Sequence, residues 1–162
     1  MSRITLAQAT ALSLAFTPLA AQESQKALDA YEAGDYATAL KEWRPLADQG
    51  NANAQFNLGM MYENGKGVPQ NYVQAVKWYR LAAGQGIDKA QFNLGYMYEN
   101  GNGVPKVPVM AHMWYNLAAA NGFDGADDAR DEMAESISIA VIKEAQALAD
   151  ECMNSGYKNC GY

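Results

Sequence analysis

Cysteine and histidine are almost missing from this chain of 162 residues, which has two Cys and one His. A lone His112 with no Cys, Asp or Glu at ligand spacing makes no metal site. No nucleophile motif accompanies it, so no Ser–His–acid triad can be assembled. No metal or other cofactor is expected. Basic charge is short as well: 12 Lys and Arg stand against 18 Asp and Glu, for a net charge of −6 and a pI near 4.7. The basic residues are scattered, whereas a nucleic-acid binder carries a basic face. No nucleic-acid partner is therefore expected. Long apolar runs are also lacking. The richest, Leu6 to Ala21, falls short of the span of about 20 residues that crosses a bilayer. The chain is not expected to be embedded in a membrane.

That N-terminal stretch has a different use. Arg3 is its only charge, Ala, Leu, Thr and Ser follow, and Pro18-Leu19-Ala20-Ala21 precedes the polar Gln22-Glu23-Ser24-Gln25. A charged start, a short apolar stretch and small residues before a polar run describe a secretory signal peptide. The reading assigns 1–21 to it, with cleavage after Ala20 or Ala21, and predicts a periplasmic or secreted protein. An oxidising compartment then favours a disulfide between Cys152 and Cys160. The seven residues between them match no zinc or thioredoxin-like spacing. So short a closed loop contributes roughly 2–3 kcal/mol in the chain-entropy model. It would pin the last helix end and the tail.

What the chain has in abundance is itself. Ala54 to Pro69 returns as Ala90 to Pro105 at an offset of 36 residues, changed only at Met60/Tyr96 and Lys66/Asn102. Self-similarity at such a period signals a stacked repeat array. Ala54, Leu58 and Met61/Tyr62 recur at helical spacing, as do Ala90, Leu94 and Met97/Tyr98. Gly65 and Gly101 end that helix, and Gly67-Val68-Pro69 and Gly103-Val104-Pro105 turn the chain. A second helix follows with the stripe Ala75, Trp78/Tyr79, Ala82, repeated as Ala111, Trp114/Tyr115, Ala118. Gly59 and Gly95 lie inside the first helix, where each costs about 1 kcal/mol relative to Ala. Their presence in both copies predicts a close approach by bulky neighbours, with Trp78, Tyr79, Trp114 and Tyr115 available.

Degenerate units flank the two clear ones. Gly34 to Ala39 aligns with Gln70 to Ala75, Ala27 to Ala33 reads as a shortened first helix, and Pro45 should kink or split the second. Downstream, Ala126 aligns with Ala90, and a last helix is predicted from Ser138 to Cys152 with Ile139, Ile142, Ala145/Gln146 and Ala149 as its stripe. The acidic run Asp124, Asp127, Asp128, Asp131, Glu132 and Glu135 suits a solvated cap. The organisation is then a solenoid over 22–162, with units at 24–50, 51–86, 87–122 and a cap at 123–162.

The pattern AxxxLGxxYxxGxGV followed by AxxWYxxAAxxG, met at Ala54–Gly86 and Ala90–Gly122, resembles the Sel-one-like repeat (SLR) family, relatives of the tetratricopeptide repeats. The resemblance implies an all-α, right-handed solenoid of about four antiparallel helix pairs. It also implies a protein-binding adaptor or regulator, expected here as a monomer without catalytic activity of its own. A Cys-rich branch of that family is associated with β-lactam binding and hydrolysis. Its units each carry a Cys pair, and these repeats carry none. A cell-wall-associated or β-lactam hydrolase is therefore the alternative reading, beside a secreted host-interaction factor.

Two local features look chemical and are read as structural. Gly65-Lys66-Gly67 lacks the preceding strand of a phosphate loop and is a turn. His112, at the position equivalent to Val76, reads as a partly exposed helix residue. The candidate binding surface is instead the first-helix face. There Gln55, Phe56, Met60 and Glu63 recur as Gln91, Phe92, Tyr96 and Glu99, and could hold a peptide or helix of a partner protein. The alternative for Phe56 and Phe92 is packing between repeats.

Overall fold

Capping residues set several of the helix boundaries. The computed structural model describes residues 17–161. It contains the eight helices α1 (Thr17–Glu32), α2 (Tyr36–Asp48), α3 (Ala52–Asn64), α4 (Tyr72–Ala83), α5 (Asp88–Asn100), α6 (Pro108–Ala120), α7 (Ala126–Ser136) and α8 (Ile139–Asn154). Side chains of Asp35, Asn51 and Asn71 accept from the backbone N–H three residues on, at 3.1, 2.9 and 3.0 Å. Each satisfies one orphan donor of a first turn. The bond from Thr38 holds the Asp35 carboxyl below its ordinary pKa. Gly65 and Gly101 take the left-handed conformation at φ 66° and 75°, and their N–H groups return to Met61 O and Met97 O. That is the predicted helix stop in both copies.

The first six helices stack in chain order as three adjacent pairs, with each second helix also meeting the first helix that follows it. Short loops allow this, because antiparallel neighbours need only a turn between them. One cluster joins Ala27, Ala39, Trp43, Leu46, Ala54, Leu58 and Met61. A larger one runs through Tyr79, Leu94, Met97, Trp114, Tyr115 and Met133 to Ala145 and Cys152. The fold is the expected all-α helical-repeat solenoid.

Several end details differ from expectation. The predicted leader lies largely outside the described residues, and its last part, 17–21, opens α1. α1 has 16 residues, and its part beyond the predicted leader, 22–32, is the first helix of the first unit, beginning earlier than the expected Ala27. α2 runs through Pro45 without splitting. Pro45 sits on the exposed side of the last turn, where one missing donor costs little, while Trp43, Leu46 and Ala47 are buried around it. At the C-terminal end, Ser138 is the N-cap of α8 rather than its first residue. Ile139 is 72% exposed, and the buried stripe is Ala145, Ala149 and Cys152. α7 and α8 both rest on α6. Cys152 and Cys160 are disulfide-bonded, with Cα atoms 4.6 Å apart. The tail so held places the Tyr157 hydroxyl 2.9 Å from Asn121 Oδ1.

Candidate functional site

The first helices carry the predicted binding rows, and the repeat code decides which of those residues are free. The close approach at Gly59 and Gly95 is made by a tyrosine of the same unit. A Cβ on Gly59 would lie 2.5 Å from Tyr79 Cδ1, and one on Gly95 2.6 Å from Tyr115 Cδ1. Of the aromatic candidates it is therefore the Tyr, not the Trp, that fills the notch. A residue four positions on lies one helical turn away on the same face. That residue is Glu63 or Glu99, and the ring spans the turn between them. Tyr79 donates to Glu63 Oε2, and Tyr115 donates to Glu99 Oε2 at 2.6 Å. Burial, followed by the facing carboxylate, pushes both phenols far above their ordinary pKa, so they stay protonated donors. The first unit replaces the whole device: Trp43 occupies the tyrosine position and Ala27 the glutamate position. An indole has no hydroxyl for the carboxylate to accept.

The glutamines are not available to a partner. Gln55 and Gln91 are 4% and 0% exposed. Each donates from Nε2 to the last turn of the preceding second helix, Ala47 O at 3.1 Å and Ala83 O at 3.2 Å. Their carbonyl oxygens accept from Gln85 Nε2 and Asn121 Nδ2, both at 2.8 Å. A buried amide must find such partners, and here they lie in the unit before and the loop after. Phe56 and Phe92 also pack inward, with ring centroids 5.8 Å from Tyr79 and 5.3 Å from Tyr115. Phe92 adds Phe123 at 4.5 Å. Thus Gln55 and Gln91 are buried rather than presented on a surface, while Phe56, Phe92, Glu63 and Glu99 are partly buried and engaged with the tyrosines of their own units. Met60 is partly buried as well, and Tyr96, 46% exposed, is the most open residue of the two rows.

Other shared residues join one unit to the next. The second glycine of each Gly-x-Gly turn, at φ 72°, meets the start of the preceding second helix. A Cβ on Gly67 would stand 2.9 Å from Tyr36 O, and one on Gly103 2.4 Å from Tyr72 O. Arg44 donates to the Tyr62 hydroxyl at 2.7 Å and Arg80 to that of Tyr98 at 2.6 Å. Sequence reading missed this arginine pair, although its spacing of 36 was visible. Leu58 and Leu94 are fully buried. Lys66 lies 4.9 and 5.3 Å from the ring centroids of Tyr31 and Tyr36. Its contacts with Tyr31 hold its ammonium above the ordinary lysine pKa. In the next copy Gly67 stands where Tyr31 would, and Asn102 replaces the lysine.

His112 is 2% exposed, not partly exposed as its sequence position suggested. It lies on α6, where the atypical last helices pack, and Asn116 Nδ2 is 3.1 Å from its Nδ1. Among the described residues, no group of three or more His, Cys, Asp or Glu is placed to hold a metal ion. No described helix is long and apolar enough to cross a membrane.

Glycine notches filled by in-unit tyrosines, glutamine clamps between units and two tandem copies define a stacked helical-repeat protein. The Sel1 repeat family model matches residues 52–87 and 88–123. A Sel1 repeat protein of Oxalobacter formigenes is 34% identical, with a TM-score of 0.63, over 70% of this chain and 88% of that one. The chain belongs to the Sel1 repeat family. It is also similar to a protective antigen of uropathogenic Escherichia coli strains that displays an SLR fold. That match is 27% identical with a TM-score of 0.80, and covers 85% of this chain and 31% of the antigen. The chain thus spans about a third of the antigen's length. No curated protein matches the chain by sequence.

Proposed function

We propose that this chain is an exported, non-catalytic scaffold that binds a protein or peptide partner on its first-helix face, in the periplasm or outside the cell. One observation carries the reading. The shared residues of the row, Gln55/Gln91, Phe56/Phe92 and Glu63/Glu99, are tied to buried partners, and the position where the copies differ, Met60/Tyr96, carries its most exposed side chain, Tyr96. A tyrosine half in water offers ring area and a hydroxyl at small entropic cost, which suits a contact residue. The disulfide between Cys152 and Cys160 supports an oxidising compartment. Both cysteines being tied together at the C-terminus weighs against the Cys-rich hydrolase reading.

The test replaces Met60 and Tyr96 with Ala and leaves the packing residues Glu63 and Glu99 untouched. Crosslinking in an envelope extract should recover a discrete partner with the parent chain and lose it with the double variant at unchanged melting temperature. Recovery of the same partner in equal yield would show that this row is not the contact. The likeness to the antigen favours a second reading, a secreted host-interaction factor. Cell fractionation separates the two, since protein found mainly in the culture medium supports the second.

A further inference from the structure

The outer faces of the second helices repeat at the same spacing as the inner ones, but they are not equally covered. Position by position, Ala37, Lys41 and Pro45 on α2 correspond to Val73, Lys77 and Leu81 on α4 and to Val109, Met113 and Leu117 on α6. On α6 the strip is apolar throughout, and Met113 and Leu117 have no exposed surface. α8 lies on α6. Its Ala145, Ala149 and Cys152 share one apolar cluster with Met113 and Leu117. The next first helix is not what covers them. α5 packs on α4 as α7 packs on α6, yet Val73 and Leu81 are each 52% exposed and Lys77 is exposed too. α4 therefore carries a copy of the seat that α8 fills on α6, with two of its three apolar positions kept and nothing described upon it.

We propose that this strip of α4, Val73–Lys77–Leu81, is a docking seat for an acidic amphipathic helix of a partner protein. The seat lies on the second helices, so the proposal stands apart from the first-helix surface around Tyr96. Charge selects the occupant. Where α6 offers Met113, α4 offers Lys77, and the corresponding α2 position is Lys41, both exposed. An incoming helix would lay small or aliphatic residues over Val73 and Leu81 and set a carboxylate against Lys77. α8 itself is the template, since it combines its buried small-residue stripe with Glu144, Asp150 and Glu151 against the single Lys143.

The experiment uses the full chain and one defined probe, a synthetic peptide of residues 138–154 carrying Cys152→Ser, titrated by two-dimensional amide NMR. Saturable shifts at Val73, Lys77 and Leu81 are expected. Leu81→Ser, at a half-exposed position, should leave the melting temperature unchanged and weaken binding about tenfold. Lys77→Glu should weaken it about fivefold, and a peptide with Glu144 and Glu151 changed to Lys should restore it. The proposal is overturned by an absence of shifts on α4. It is equally overturned if shifts follow α6 alone, which would mean exchange with the chain's own α8, or if affinity is indifferent to Leu81→Ser and to the charge reversal at Lys77.

Discussion

Trp78 and Trp114 hold the same place in two nearly identical units, yet Trp114 is fully buried and Trp78 keeps exposed surface. Their own helices do not explain this. Trp78 leans on Arg44 of the first unit, 5.6 Å from its ring centroid, with only water beyond part of it. Trp114 lies on the helix that receives both α7 and α8. In a nearest-neighbour array, a residue's burial is set by what stacks beside it. The same letter in two copies can thus be worth different free energies. Trp114→Ala should cost about 4 kcal/mol and Trp78→Ala about half as much, since the cost follows the buried volume lost. Urea unfolding of the two variants measures the difference. Equal losses would mean that the last two helices add nothing to the third unit.

The glycine notches should show the opposite behaviour, because their partners lie within the unit. Gly59 faces Tyr79 and Gly95 faces Tyr115 at nearly the same spacing. Leu at either position must displace a buried ring whose hydroxyl is already bonded to Glu63 or Glu99. Overpacking of this kind costs about 3 kcal/mol, and Gly59→Leu and Gly95→Leu should agree to within about 0.5 kcal/mol. A loss of less than about 1 kcal/mol at either site would remove the notch from the repeat code.

These two pairs mark how far the sequence could be read. Helix existence, the glycine stops and the notches follow from local chemistry repeated in register, the C-terminal disulfide from the export signal and the only two cysteines, and all were legible. What failed depended on a neighbour's position. Counting faces on α3 alone puts Gln55 and Phe56 beside Met60, but only the stacked array shows that the end of α2 meets Gln55 and the ring of Tyr79 meets Phe56. Ile139 continued a helical stripe on paper, whereas α8 turns its Ala145, Ala149 and Cys152 face to α6 and leaves Ile139 in water. The α4 seat also escaped the sequence. Its signal, two of three apolar positions kept between α4 and α6, becomes meaningful only once the α6 strip is seen to be covered.

The smallest expected effect separates the two units by pH. Val76 and His112 are equivalent positions, both 2% exposed, and only the third unit places a titratable ring there. Burial lowers the His112 pKa, the nearby Arg130 charge lowers it further, and Asp131 opposes them weakly. Arg130 is itself held by Asp127 and Asp131 at 2.8 Å each, so its charge stays on α7 beside the ring. The folded state therefore keeps the imidazole neutral, while the unfolded chain takes up a proton near pH 6.5. The stability that depends on the neutral ring is complete above that pH. It is lost as pH falls from about 6.5 through the lower folded value, at no more than about 1.4 kcal/mol per pH unit. His112→Val, the residue of the preceding unit, should flatten this slope below about pH 6.5. Carboxylate titration at lower pH should be unaffected. Urea midpoints across that window test the sign directly, and parallel curves for the parent chain and the variant would show that His112 does not titrate against folding.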